Sequence, residues 1–534
     1  MKLKNIVYTV GCVFLLASCS DSFLNKEPQN GTLLEDQYMN LDDGLSGSAR
    51  AIYSLLYEYG GHDSFGQRSL DMYGDFTSGD MAMSTQYYGW FSTDDQGLAY
   101  AYRAADIWYY YYRIIRLSNL VINAIEKTEA DSEVEGKAPS LPVESGSNVT
   151  NGFYYGQVLA LRGWAYAGLM RYFVKPADLI TDLENEPTVP IYTEVETANV
   201  DILGAPRASA RELFDRIESD LTLGVEYLDA YQQAGAARES KLEMNADVAR
   251  ATLAYAYINM GDTASYRKAL AVAKKVIDDN NFTILPNSKL LTTGFADVSE
   301  DSWMWGQDVT VETSTALGSF FGQVDLHTYS YAAAGDVKGI DDGLYAQIEA
   351  MGWDGRVNWF NKNKKYAPEG KFYNVSTKDT YDLNDVDRNW LNDNVFMRIE
   401  SVYLIAAEAA LKQTTPDLAA SLNYLDAIMS QRLIDENDAD VKTLYNDYKA
   451  TLTTADALLD AIIYNWRVEM WGEGYGMQTV RRLTHTQTLG NNHFGSRKGA
   501  TVDYTTIQFT WRIPSSETRY NPYIADDELT EATE

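Results

Sequence analysis

The stretch Ala246–Ile277 constrains the fold more than any other part of the chain. Ala249, Leu253, Ala254 and Tyr257 recur at helical spacing, Gly261-Asp262 interrupts them, and Tyr266, Ala269 and Ala273 resume the period. Small alanines let two helices approach closely and Gly261 permits a tight turn, so the segment reads as a helix-turn-helix of tetratricopeptide type. A second pair is predicted from Val395 to Leu411, with Tyr403, Leu404, Ala407 and Ala410, and after Pro416 from Leu418 to Arg432, with Ala419, Leu422 and Leu425. Such pairs bury their apolar faces only by stacking on neighbours. Their irregular spacing here predicts a few decorated repeats rather than a uniform solenoid.

Helical periodicity continues elsewhere. Leu41, Leu45, Ile52, Leu55 and Leu56 share one face, as do Trp108, Tyr112, Ile115, Asn119 and Ile122. Leu161, Ala165, Tyr166, Leu169 and Phe173 mark a helix over 154–173, and Pro206 is predicted to open another carrying Leu213, Phe214, Ile217, Leu221, Val225 and Leu228. The expected fold class is mainly α, with helical pairs, a few short strands and long irregular loops. Gly60–Tyr100, Leu285–Gly343 and Gly352–Asn392 are the long loops, rich in Gly, Asp and aromatics, and loops of that length in a compact protein are usually functional.

The N-terminus points to export. Lys2 and Lys4 precede an apolar run, Ile6–Ala17, too short to span a bilayer, and Leu16-Ala17-Ser18-Cys19 closes it as a lipoprotein signal does. Residues 1–18 are therefore expected to be a signal peptide, with Cys19 lipidated and residues 19–34 a flexible spacer. Residues 35–524 are expected to form a single domain, and 525–534 an acidic tail. The only other cysteine is Cys12, so no internal disulfide is available and the core must hold the fold. A net charge of −32 argues against nucleic acid and against direct contact with anionic lipid headgroups.

The order of motifs resembles the SusD/RagB family of outer-membrane nutrient-binding lipoproteins of Bacteroidetes. Gly156-Gln-Val-Leu-Ala-Leu-Arg162-Gly-Trp-Ala-Tyr166, followed by Pro187-Thr-Val-Pro190-Ile-Tyr192, is similar to the family's helix and short strand. Val395-Phe-Met-Arg398-Ile-Glu400-Ser-Val-Tyr403 through Glu408 resembles its most recognisable helix. Trp466-Arg467-Val-Glu469-Met-Trp-Gly472-Glu473-Gly474 ahead of Arg481-Arg482 resembles a late one, and Arg512-Ile513-Pro514 with Asn521-Pro522 the C-terminal signature. Trp466, Gly476 and Thr479 depart from the family's usual Glu, Arg and Asp, positions expected to belong to a structural ion-pair network. The resemblance implies a tetratricopeptide-like helical protein that captures an oligosaccharide, or less commonly a peptide, and lies over a SusC-like TonB-dependent transporter. It implies no chemistry, cofactor or metal.

Sugars offer an apolar C–H face for aromatic stacking while amides and carboxylates collect hydroxyls. Tyr87, Tyr88 and Trp90, beside Asp75, Ser78, Asp80 and Gln86, have that mixture, with Gly79 and Gly89 expected to let backbone approach a ligand. Trp303, Trp305, Tyr329 and Tyr331, around Asp325 and His327, form a second candidate cluster; Trp353, Trp359, Phe360 and Tyr366 are more simply core. Enzymatic readings find little support. His62, His327, His485 and His493 are scattered, and no nucleophile elbow or phosphate loop occurs. Asp75 with Asp80 could serve a glycosidase, but pairs of acids are commonplace in so acidic a chain. Two functions remain: glycan capture for a transporter, on a neutral or weakly charged oligosaccharide, or a surface tetratricopeptide-type protein that binds peptide or protein.

Overall fold

In chain order the longer helices are α1 (Gly44–Ser54), α2 (Gln67–Ser78), α3 (Tyr102–Ala130), α4 (Thr150–Phe173), α5 (Ala210–Gln233), α6 (Ala246–Met260), α7 (Thr263–Asp279), α8 (Asp342–Met351), α9 (Ile399–Leu411), α10 (Leu418–Met429), α11 (Ala439–Thr451) and α12 (Ala455–Glu469). This computed structural model describes residues 44–91, 102–130, 139, 150–198, 204–234, 240–315, 317–375 and 391–524. The signal, Cys19, the spacer and the acidic tail lie outside the described residues. None of the described helices is long and apolar enough to cross a membrane.

The two predicted pairs form as expected. Asp262 caps α7 through Ala264 N and Ser265 N, and Gly261 ends α6 at φ +76°, the left-handed region that glycine enters without cost. Helices α6, α7, α9 and α10 then pack in succession, with Ala249, Ala269, Ala273, Ala406 and Ala407 fully buried. Helices α4 and α5 meet along a small-residue seam. A side chain at Gly224 would lie 3.0 Å from Ala160 N and Gly156 O, so this close approach needs glycine.

Two boundaries differ from expectation for one reason: backbone that pairs with a distant strand cannot join a helix. Arg207–Ser209 (β3) pairs antiparallel with Pro187–Pro190 (β2), so the helix begins at Ala210, where Ser209 and Glu212 form a capping box. Asn394–Arg398 (β8) pairs antiparallel with Trp303–Gln307 (β4), so α9 starts only at Ile399. Met81–Met83 (β1) likewise pairs with Lys338–Ile340 (β5), and Phe360–Asn361 (β6) with Ala367–Pro368 (β7). The segment 60–100 is not wholly loop: every residue of α2 is buried, which leaves no amphipathic stripe to read.

The family-like motifs converge on a buried ionic core. Glu469 accepts from Arg432 Nη2 at 2.8 Å, Arg398 Nη1 at 3.2 Å and Arg356 Nη1 at 3.4 Å. Glu400 joins Arg432 at 2.9 Å and Glu473 joins Arg398 and Lys371, each at 2.8 Å. The three guanidinium groups hold the Glu469 carboxyl far below the usual range despite its burial. Trp466, at the first departing position, is fully buried, stacks on Tyr475 at 5.3 Å and donates Nε1–H to Glu408, which Arg482 also holds. A side chain at Gly476 would meet Asp80 Oδ2 at 2.5 Å and Ser78 Oγ at 2.6 Å, so the space an arginine would need is closed.

Candidate functional site

The chain leaves the buried β1 strand and turns outward through residues 84–90. Gly79 ends α2 at φ +84°, with Leu489 Cδ2 2.3 Å from where a Cβ would sit; it is packed, not open to a ligand as the sequence suggested. Thr85 Oγ1 then donates to Gly335 O at 2.9 Å. The fully buried Asp336 carboxylate accepts from the backbone N–H of both Tyr87 and Tyr88, the latter at 2.9 Å. Phe91 anchors the far end, buried against Phe76 at 5.6 Å and Tyr73 at 5.1 Å. Gly89 lies at φ +74° with open space around the missing Cβ, so glycine serves the backbone conformation there.

This double anchoring presents Tyr87 and Tyr88 beside rings from two other segments, with Tyr329 on the same loop as Tyr331. Tyr87 is 77% exposed, Tyr329 57%, Tyr59 51% and Tyr88 48%. Tyr88 packs edge-on to Tyr331 at 5.1 Å, Tyr331 to His62 at 5.5 Å and to Trp90 at 6.1 Å, and His62 reaches Tyr59 at 6.0 Å. Tyr87 leans on Tyr88 at 5.5 Å. Trp90 is half-buried behind this surface, 5.4 Å from His62. Partial burial pushes the Tyr331 hydroxyl above its ordinary pKa. The loop bearing Tyr329 and Tyr331 is folded on Asp325, which accepts from His327 N at 2.8 Å and Thr328 Oγ1 at 2.5 Å. Tyr331 N donates to Gly322 O at 2.9 Å.

The structure therefore brings together Tyr87, Tyr88, Trp90, Tyr329 and Tyr331 from the two candidate clusters, and separates the rest. Trp303 and Trp305 are corrected to core residues, 0% and 1% exposed on β4. Trp303 donates Nε1–H to Gly294 O at 2.8 Å, and Trp305 packs against Trp164 and Phe396, so neither ring has a free face. Asp80 is corrected likewise: it is buried and takes Arg467 Nε at 2.7 Å. Asp75 accepts from Gly472 N at 2.6 Å and Gly474 N at 3.3 Å on one oxygen and from Gly476 N at 3.2 Å on the other, so the two acids flank no groove. Trp353, Trp359 and Phe360 are buried as expected, whereas Tyr366 is only partly buried. Tyr59, His62 and Asp336 were not singled out by the sequence reading. Only the Gly60-Gly61 dipeptide between an aromatic and a histidine hinted at the first two; nothing local distinguishes Asp336.

Comparison with known proteins agrees with the motifs. Residues 33–258 match a SusD-like family model described as starch-binding and associating with the outer membrane, and residues 348–530 match the SusD family model. No curated protein sequence matches the chain. A SusD-like carbohydrate-binding protein from Bacteroides vulgatus is 20% identical, over 90% of this chain and 97% of that one, with a TM-score of 0.66. A SusD superfamily protein from Bacteroides thetaiotaomicron is also 20% identical, over 90% and 98%, with a TM-score of 0.67. One from Bacteroides fragilis is 17% identical, over 91% and 99%, with a TM-score of 0.66. At such identities the likeness is one of fold, and with the two family models and the ionic core built from the motif residues it means that the chain belongs to the SusD/RagB family of outer-membrane-associated carbohydrate-binding proteins.

Proposed function

We propose that this protein captures an oligosaccharide or polysaccharide at the cell surface and passes it to a SusC-like TonB-dependent transporter, tethered by lipid on Cys19. The observation that carries the reading is the patch formed by Tyr59, Tyr87, Tyr88, Tyr329 and Tyr331 with His62 and Trp90 beside and behind them. Single exposed rings are ordinary on protein surfaces; a group of neighbouring rings, two of them anchored by a buried carboxylate, suits stacking on successive sugar rings. An extended peptide would seek free backbone partners, and the N–H groups of Tyr87 and Tyr88 are already taken by Asp336.

Tyr88→Ala is the cleaner test of this surface, because half of its ring is already in water and its loss costs the core little. Isothermal titration against a polysaccharide panel is expected to show a loss of about 1–3 kcal/mol for Tyr88→Ala with an almost unchanged melting temperature. Trp90→Ala is expected to weaken binding and also to lower the melting temperature, since Trp90 packs against the core. Normal binding by both variants would remove the platform.

A further inference from the structure

The hairpin β6–β7 brings a short basic segment, Lys362-Asn363-Lys364-Lys365, to the edge of the aromatic surface in a chain whose net charge is −32. Two of its cations are neutralised locally: Lys362 pairs with Glu349, and Lys364 with Glu369 at 2.6 Å. Lys365 pairs with no carboxylate among the described residues. Its Nζ lies 3.5 Å from Thr85 Oγ1, and Thr85 is exposed two residues before Tyr87, at most about 7 Å of extended chain away.

The backbone that carries this cation is held in place. Lys365 and Tyr366 both adopt left-handed conformations, φ +55° and +61°, which non-glycine residues take at a cost of about 1 kcal/mol or more each and keep only where the surroundings enforce it. Tyr366 N donates to Asn361 O at 2.9 Å and Ile340 N to Tyr366 O at 3.0 Å. Gly339 on β5 makes room for the turn: a Cβ there would lie 2.4 Å from Lys365 O and 2.6 Å from Tyr366 O. Strand β5 follows directly on Asp336, the carboxylate that holds Tyr87 and Tyr88, so the rings and the ammonium are mounted on one support.

We propose that the platform takes a uronate-bearing glycan, with a sugar carboxylate received by Lys365 next to the ring that stacks on Tyr88. This inference rests on the glycan-binding reading of the platform and adds the charge of its ligand. It revises the expectation of a neutral ligand drawn from net charge. Charges beyond about 8 Å are largely screened at physiological salt, whereas an ammonium in contact with a carboxylate keeps part of its attraction. One uronate among neutral sugars carries a single charge, which one lysine matches. A densely sulfated chain would meet the acidic remainder of the surface with more charge than Lys365 compensates.

The test is isothermal titration at about 0.15 M salt with oligosaccharides that carry a single galacturonate, glucuronate or mannuronate among neutral sugars, each beside its carboxyl-reduced, neutral counterpart. At least one uronate-bearing oligomer is expected to bind about fivefold more tightly than its reduced form, the upper end for an exposed ion pair. Lys365→Met is expected to abolish that difference and Lys365→Arg to keep it. Equal or tighter binding of the reduced oligomers, or a preference that survives in Lys365→Met, overturns the inference while leaving the platform in place. Absence of binding by any charged or neutral oligomer overturns the platform reading and the inference with it.

Discussion

Asp75 and Asp80 show how burial redirects a residue. Both are sealed in the core, and an atom added at Gly476 would touch oxygens of both carboxyl groups, 3.0 Å from Asp75 Oδ1 and 2.5 Å from Asp80 Oδ2. Burial, and then the neighbouring Asp80 charge, push the Asp75 carboxyl from 3.8 up to about 7; burial also raises Asp71 to about 6. Because the folded state keeps protons that the unfolded chain releases near pH 4, stability from these groups falls as pH rises from about 4 to about 7. The melting temperature is therefore expected to fall between about pH 4 and pH 7, and Asp80→Asn, which removes the like charge, is expected to shrink that fall. An identical pH slope in wild type and variant would show that the pair does not titrate together. Nothing in the spacing of Asp75 and Asp80 announces this; in sequence they look like exposed loop acids suited to ligand hydroxyls. Trp305 and Tyr88 likewise carry no local mark that one ring is sealed and the other wet, since a five-residue strand and an outward loop are equally rich in aromatics.

At the scale of elements, the helical pairs were legible because small residues at helical spacing have few other uses. In α9 Ala407 is fully buried, and its carbonyl accepts Ser421 Oγ–H from α10 at 2.8 Å. Ala407→Leu is expected to force the two helices apart at a cost of about 1–3 kcal/mol, read as a lowered melting temperature with helicity by circular dichroism retained. The ionic core obeys different arithmetic. Removing Glu469 would leave Arg356, Arg398 and Arg432 sharing too few carboxylates in a dry site, so Glu469→Ala is expected to cost about 3–5 kcal/mol or to prevent folding. A stability within 1 kcal/mol of wild type, measured by urea denaturation, would mean that the network is dispensable. Arg398, Glu400, Glu469 and Glu473 stood out in the sequence as motif residues, but Arg356, Arg432 and Lys371 did not, and neither did their common destination: Arg356, Arg398, Arg432 and Glu469 are spread over more than a hundred positions.

The whole molecule sets helical pairs and an ionic core beneath a loop-borne aromatic surface, and its place in the cell is a prediction at this scale. Proteolysis of intact cells is expected to degrade the protein, and purification from native membrane after crosslinking is expected to bring down a transporter barrel. Protection until lysis would place the protein inside the outer membrane, and absence of any barrel would count against the transporter. The sequence by itself determined the helical class, the paired repeats, the signal-like N-terminus and the family, because periodicity, small-residue seams and motif order are properties of the chain read locally. It also drew attention to the loops that hold Tyr87, Tyr88, Trp90, Tyr329 and Tyr331. Only the tertiary structure decided which rings remain in water, that Trp303 and Trp305 belong to the core, and that Asp336 and Lys365 stand beside the platform. Burial and the neighbours of a loop are set by strand pairings such as β1 with β5, which join residues more than 250 positions apart, and no local pattern encodes them.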